Sequence, residues 1–115
     1  MKPLYDRAGQ TVGWREDETI YDRAGRYIAF VESDGVFTFG GKHVAYWTDG
    51  YIMGLDGGVV AFFDDAPSLP VVPPICAISP IPPLGALPPI PPLPPLPPLP
   101  PLAVMGWSQT VFGRW

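Results

Sequence analysis

Leu4-Tyr5-Asp6-Arg7-Ala8-Gly9 recurs sixteen residues on as Ile20-Tyr21-Asp22-Arg23-Ala24-Gly25. The same step reaches Gly41 and then Gly57. Three residues after each glycine stands an aliphatic: Val12, Ile28, Val44 and Val60. A small residue follows in each copy (Gly13, Ala29, Ala45, Ala61), then an aromatic (Trp14, Phe30, Tyr46, Phe62). Upstream, Leu4, Ile20, Val36 and Ile52 align, followed by Tyr5, Tyr21, Phe37 and Met53. Six columns hold register through four copies without a gap, so the unit of folding is a repeat.

Sixteen residues suit a two-stranded hairpin. Each unit reads as a short strand (Leu4–Arg7 in the first), a glycine turn, a second strand (Thr11–Glu16) and a polar connector. The glycine column fits a left-handed turn position, where a side chain clashes. The connectors Glu16-Asp17-Glu18-Thr19, Ser33-Asp34-Gly35 and Asp49-Gly50 are rich in turn formers. Four hairpins supply eight short antiparallel strands, and closing them removes two exposed edges. The expected fold is all-β: four tandem hairpins in a pseudo-fourfold shallow barrel, with the first strand beside the last, Val59–Phe63. Strict alternation would put Val12 and Trp14 on one face and the small residue on the other. Four small residues in one column imply either crowding at the symmetry axis or another segment lying against them.

Composition divides the chain of 115 residues. Every Asp and Glu lies before residue 66, with all the basic residues except Arg114; every proline except Pro3 lies between Pro67 and Pro101. The reading is therefore a hairpin domain over 1–65, a proline-rich segment over 66–102 and an aromatic C-terminal segment over 103–115. A net charge of −4 argues against nucleic acid as a partner. So small a folding unit is a poor host for a deep cleft, and no small-molecule substrate is expected. Met1–Arg7 carries no apolar stretch of the signal-peptide kind. Residues 69–107 are uncharged and long enough to suggest a membrane span, but their prolines oppose a spanning helix. The expected location is cytoplasmic.

The hairpin units, with Tyr-Asp-x-x-Gly and aliphatic–small–aromatic strands over residues 4–63, resemble the four-fold β-flower family. The resemblance implies a shallow symmetric β-barrel, similar in outline to Tubby C-terminal-like domains, and brings no catalytic residues with it. Tubby-like domains imply lipid or membrane-surface binding, for which this chain offers no matching basic cluster. Tyr21-Asp22-Arg23-Ala24-Gly25-Arg26 also resembles the Tyr-Asp repeats of large surface and toxin proteins, though only two units carry the pair.

The proline-rich segment has its own period. Leu69, Val72, Ile75, Ile78, Ile81, Leu84, Leu87, Ile90, Leu93, Leu96, Leu99 and Leu102 are spaced by three. A polyproline II helix has three residues per turn, so all twelve fall on one edge. That ridge calls for cover from its own domain, a neighbouring chain or a partner. Gly85-Ala86 is a place where the segment could bend; otherwise it projects as a stalk. Pro-Pro-Leu-Pro between Pro91 and Leu102 has the format read by WW-type domains. The closing aromatics Trp107, Phe112 and Trp115 are expected to dock. The interaction residues are then Leu84, Leu87, Ile90, Leu93, Leu96, Leu99 and Leu102 of the ridge, with Trp107, Phe112 and Trp115 as anchors. Deleting residues 66–115 is expected to lower the melting temperature.

No cofactor, metal or catalytic site is expected. His43 stands alone, without a second histidine for a metal pair or a nucleophile in a known motif. Cys76, the single cysteine, reads as a small apolar residue and leaves no intrachain disulfide to form. Asp6 and Asp22 read as turn braces. A fourfold carboxylate ring is broken by Thr38 and Gly54 in the same column. The expected function is that of a non-enzymatic structural or protein-interaction module, through a protein partner or self-association.

Overall fold

The sixteen-residue period becomes eight strands: β1 (Lys2–Tyr5), β2 (Thr11–Glu16), β3 (Thr19–Asp22), β4 (Tyr27–Glu32), β5 (Gly35–Phe37), β6 (His43–Thr48), β7 (Tyr51–Gly54) and β8 (Val59–Phe62). The computed structural model of the chain describes residues 1–78, 80 and 103–115. Each strand pairs antiparallel with the next, and β1 closes on β8 through Tyr5 opposite Phe62. The barrel has no free strand edge between units, which is the closure that four equal hairpins favour.

The first strand of each unit ends earlier than Leu4–Arg7 suggests. Asp6 already belongs to the turn: its N–H donates to the Gln10 carbonyl at 2.9 Å, and the Gly9 N–H donates to the Asp6 carbonyl at 3.0 Å. The same two bonds recur at Asp22/Arg26/Gly25, Thr38/Lys42/Gly41 and Gly54/Gly58/Gly57. The turn glycines have φ between 77° and 91°, the left-handed conformation their column implied. In units one and two the aspartate braces the turn: Asp6 Oδ1 accepts from the N–H groups of Ala8 and Gln10, and Asp22 Oδ1 from Ala24 and Arg26.

Strict alternation fails at one position per hairpin. Leu4 pairs with Gly13 but Tyr5 pairs with Thr11, so Val12 is an extra residue. The same shift occurs at Ile20/Tyr21, Val36/Phe37 and Ile52/Met53. A bulge of this kind puts two consecutive residues on one side of the sheet. Val12 therefore joins the small residue, and Trp14 faces the other way, contrary to the alternating pattern. Val44 and Ala45 accordingly share one buried cluster while Tyr46 belongs to another.

The first cluster draws on all four units and fills the barrel. Leu4, Ile20, Val36 and Ile52 are fully buried beside Ala29, Ala45 and Ala61, with Val12, Ile28, Val44 and Val60 above them. Alternating large and small side chains let eight strands close on so narrow an interior. At the connector end the next inward column is Arg15, Val31, Trp47 and Phe63. The Arg15 guanidinium lies 4.3 Å from the centroid of the Trp47 ring, and Trp47 meets Phe63 edge-on at 5.0 Å. Arg15 and Trp47 stand two units apart, so this contact spans the axis and closes one mouth.

Candidate functional site

The opposite mouth is closed by the C-terminal segment. Phe112 and Trp115 pack against the barrel cluster, with their rings 5.5 Å apart. A Cβ at Gly13 would lie 3.0 Å from the Phe112 ring and collide with the Tyr21 carbonyl. Gly13 is the one glycine in a column otherwise filled by alanine. Both readings of that column hold: the units crowd at the axis, and another segment lies against them.

The segment reaches the mouth along the fourth hairpin. Trp107 forms a parallel bridge with Val59. The Val59 N–H donates to the Gly106 carbonyl at 3.0 Å, and the Ser108 N–H donates to the Val59 carbonyl at 2.9 Å. The fourth turn departs from the repeat where this segment lands. Gly54 replaces the turn-bracing Asp or Thr, and a Cβ there would collide with Ser108 Oγ. Gly58 stands where the other units have Gln10, Arg26 and Lys42, and a Cβ there would lie 2.6 Å from the Ser108 nitrogen.

Asp56 takes over as the acceptor. Its carboxylate accepts from the Gly58 N–H at 3.1 Å, the Ser108 hydroxyl at 2.9 Å and the Gln109 N–H at 3.0 Å. The Gln109 bond is the largest influence holding its pKa below the usual carboxylate range; burial opposes it, and the bonds from Gly58 and Ser108 add to the lowering. Sequence reading weighed Asp56-Gly57-Gly58 only as a superficial likeness to a phosphate loop and gave Asp56 no part in holding the C-terminal segment. Its signal was that it appears just where the columns at Gly54 and Gly58 break.

A second buried cluster lies on the outer face over the seam between the fourth and first units: Tyr5, Tyr46, Tyr51, Met53, Val59 and Phe62. Leu69, Val71, Cys76 and Trp107 pack on it, with Trp107 5.8 Å from Phe62. The Ala77 N–H then donates to the Gly9 carbonyl at 2.9 Å. The chain leaving the barrel thus climbs the seam to the turn end. Burial and the nearby Asp64 push the Cys76 thiol pKa up, away from thiolate chemistry. Between the first turn and the docked segment lies a cleft of about 310 Å³, lined by Asp6, Arg7, Val60, Trp107, Thr110 and Phe112 among others.

Of the ten interaction residues expected from sequence, Phe112 and Trp115 pack on the interior cluster and Trp107 on the outer seam, all three half-buried on their own barrel. Leu84, Leu87, Ile90, Leu93, Leu96, Leu99 and Leu102 lie outside the described residues. The beginning of the ridge is described and divides. Leu69 packs on the seam, whereas Val72, Ile75 and Ile78 are 90 %, 97 % and 99 % exposed. They face water while Val71 and Cys76, off the ridge, face the barrel.

His43 lies on the outer face between the rings of Phe37 and Tyr46, at 5.2 and 4.6 Å. Burial lowers its pKa, and a bond to the Ala45 backbone acts in the opposite sense. Its Nε2 is buried with no hydrogen-bond partner among the described residues. Among the described residues, no group of three His, Cys, Asp or Glu side chains is placed to hold a metal ion, and no helix is long and apolar enough to cross a membrane.

The 4-fold beta flower family matches this chain over residues 2–115, so the match runs beyond the hairpins through the proline-rich and C-terminal segments. No curated protein and no solved structure matches it. Closed eight-stranded architecture, fourfold repeat and family match agree, and the chain belongs to the 4-fold beta flower proteins.

Proposed function

We propose that the protein is a non-enzymatic structural or interaction module whose working surface is the aliphatic ridge of its proline-rich segment. The observation that carries this reading is the exposure of Val72, Ile75 and Ile78. Three consecutive ridge positions stand in water, whereas most other large apolar side chains among the described residues pack. Contiguous apolar surface of this kind marks association.

The barrel supports the reading from its own side. One mouth is closed by Arg15 over Trp47 and the other by Phe112 and Trp115, so the place where barrels usually hold ligands is filled by the chain itself. The anchors Trp107, Phe112 and Trp115 serve the protein's own fold, which leaves Leu84, Leu87, Ile90, Leu93, Leu96, Leu99 and Leu102 as the partner-facing set. The partner is an apolar protein surface. A second copy of the chain is the first to consider, because two ridges with the same three-residue spacing interdigitate.

Light scattering on the full chain tests this. Self-association that increases with concentration is expected, and the triple variant Val72→Ser/Ile75→Ser/Ile78→Ser reverts to one chain while keeping its β-sheet spectrum. A full-length protein that remains a single chain, yet floats with anionic vesicles, replaces the protein partner with a lipid surface.

A further inference from the structure

We infer that the groove between the third and fourth hairpin turns binds a small amphipathic anion, its head held by Lys42 and Arg114 and its apolar body lying on Leu55 and Val111. This goes beyond the ridge as a binding surface. None of Val72, Ile75 and Ile78 lines the groove, and the ligand is a small molecule.

The groove is bounded by the start of β6, by Leu55 of the fourth turn and by the C-terminal segment from Gln109 to Trp115. Its volume of about 440 Å³ falls within the range of roughly 300–1,000 Å³ that small-molecule sites occupy. The chain as a whole carries a charge of −4, yet Lys42 and Arg114 bring two cations to this lining and no Asp or Glu side chain lines it. Such a local reversal of sign draws anions to one place on an acidic protein.

The repeat shows what is unusual here. Lys42 stands in the column of Gln10, Arg26 and Gly58. Arg26 is neutralised by its own turn, its Nε donating to Asp22 Oδ2 at 3.0 Å. In the third turn Thr38 replaces that aspartate, and its Oγ1 accepts only the backbone N–H of Lys42, at 3.3 Å. The Lys42 ammonium therefore forms no ion pair among the described residues. Leu55 stands where the first two units carry Arg7 and Arg23, and it is more than half exposed.

Arg114 is the only charged residue after Asp65. The chain holds it in place. Its N–H donates to the Val111 carbonyl at 3.0 Å, Gly113 takes a φ of 79°, and Phe112 and Trp115 to either side pack on the barrel. Arg114 too forms no ion pair among the described residues, and Val111 in the same turn is more than half exposed. Two unneutralised cations and two exposed aliphatics thus line one concavity. A guanidinium presents a fork to an anionic head and an ammonium adds a point charge. Exposed charges alone bind weakly and take any anion, so the aliphatic floor is what selects one with a hydrocarbon body.

Titration of the full chain with octanoate, followed by NMR at the backbone amides, tests this. Saturable shifts are expected at Lys42, Leu55, Thr110, Val111 and Arg114. Octylammonium, with the same tail and the opposite charge, and acetate, with the same head and no tail, are expected to leave these amides in place. The double variant Lys42→Gln/Arg114→Gln is expected to bind octanoate roughly fivefold more weakly, and Lys42→Arg/Arg114→Lys to retain it. Both side chains are exposed, so the remaining amide spectrum should not change. Absence of saturable shifts with octanoate, octylammonium binding as tightly as octanoate, or shifts centred on Val72–Ile78 instead of the groove overturns the inference. The ligand comparison needs no variant, so the inference stays open to refutation even if the substitutions disturb folding. Self-association through the ridge is read separately by light scattering, so either conclusion can fail alone.

Discussion

The Ser108 hydroxyl donates a 2.9 Å hydrogen bond to Asp56 Oδ1, joining residues 52 positions apart. With the Gln109 N–H on the other carboxylate oxygen, it fixes the C-terminal segment to the fourth turn. Asp56→Ala removes the acceptor for three donors. Because the site is exposed, a loss of about 1 kcal/mol is expected, at the low end for charged hydrogen bonds. The sign with pH follows from the depressed pKa. The contribution is complete above the unfolded-state value of about 3.9 and is lost as pH falls through the lower folded value. Thermal melts of the wild type and Asp56→Ala should converge in acid and separate at neutral pH.

Gly13→Ala looks conservative in a column that reads Ala29, Ala45 and Ala61. It is expected to destabilise by about 2 kcal/mol, the cost of forcing atoms into filled space. The added Cβ meets the Tyr21 carbonyl and the Phe112 ring. Phe112→Ala is expected to cost roughly 2 kcal/mol, less than a fully buried phenylalanine. If the backbone collision dominates, Gly13→Ala remains destabilising in the Phe112→Ala background; relief of the defect there would assign it to the ring. Urea titrations of the four proteins resolve the two contributions. Deleting residues 66–115 removes the plug and the seam cover together and is expected to lower the melting temperature further than Phe112→Ala does.

His43 gives the fold a pH response of its own. Its folded pKa is depressed by burial, so above the unfolded value of about 6.5 neutral His43 carries no penalty. As pH falls below that value, the unfolded chain takes up a proton that the folded state resists, and stability declines toward the folded pKa. His43→Phe keeps the ring beside Phe37 and Tyr46 without a titrating group. Its melting temperature should vary less than that of the wild type between pH 7 and pH 5; equal slopes would remove His43 as the source.

The hairpin register was legible because each column carries one chemical type through four units: Leu4 with Ile20, Val36 and Ile52 for the interior, Gly9 with Gly25, Gly41 and Gly57 for the turns. Val12 was misplaced, because a bulge depends on how two strands pair and leaves no mark in hydrophobic alternation. Asp56, Gly54 and Gly58 were visible only as breaks in their columns. That those breaks receive Ser108 depends on a partner some fifty residues away.

By itself the sequence determined the repeating unit, its turns and the number of strands, since these are local: sixteen residues contain the turn glycine, its brace and both strands. Tertiary structure alone decided what closes the barrel. Phe112 against Gly13 and Arg15 over Trp47 are meetings of distant chain segments, selected by which cavity is left when the four units come together. The same holds for the ridge. Its three-residue period can be read from the chain, but the exposure of Val72, Ile75 and Ile78 follows from the way Val71 and Cys76 settle into the seam.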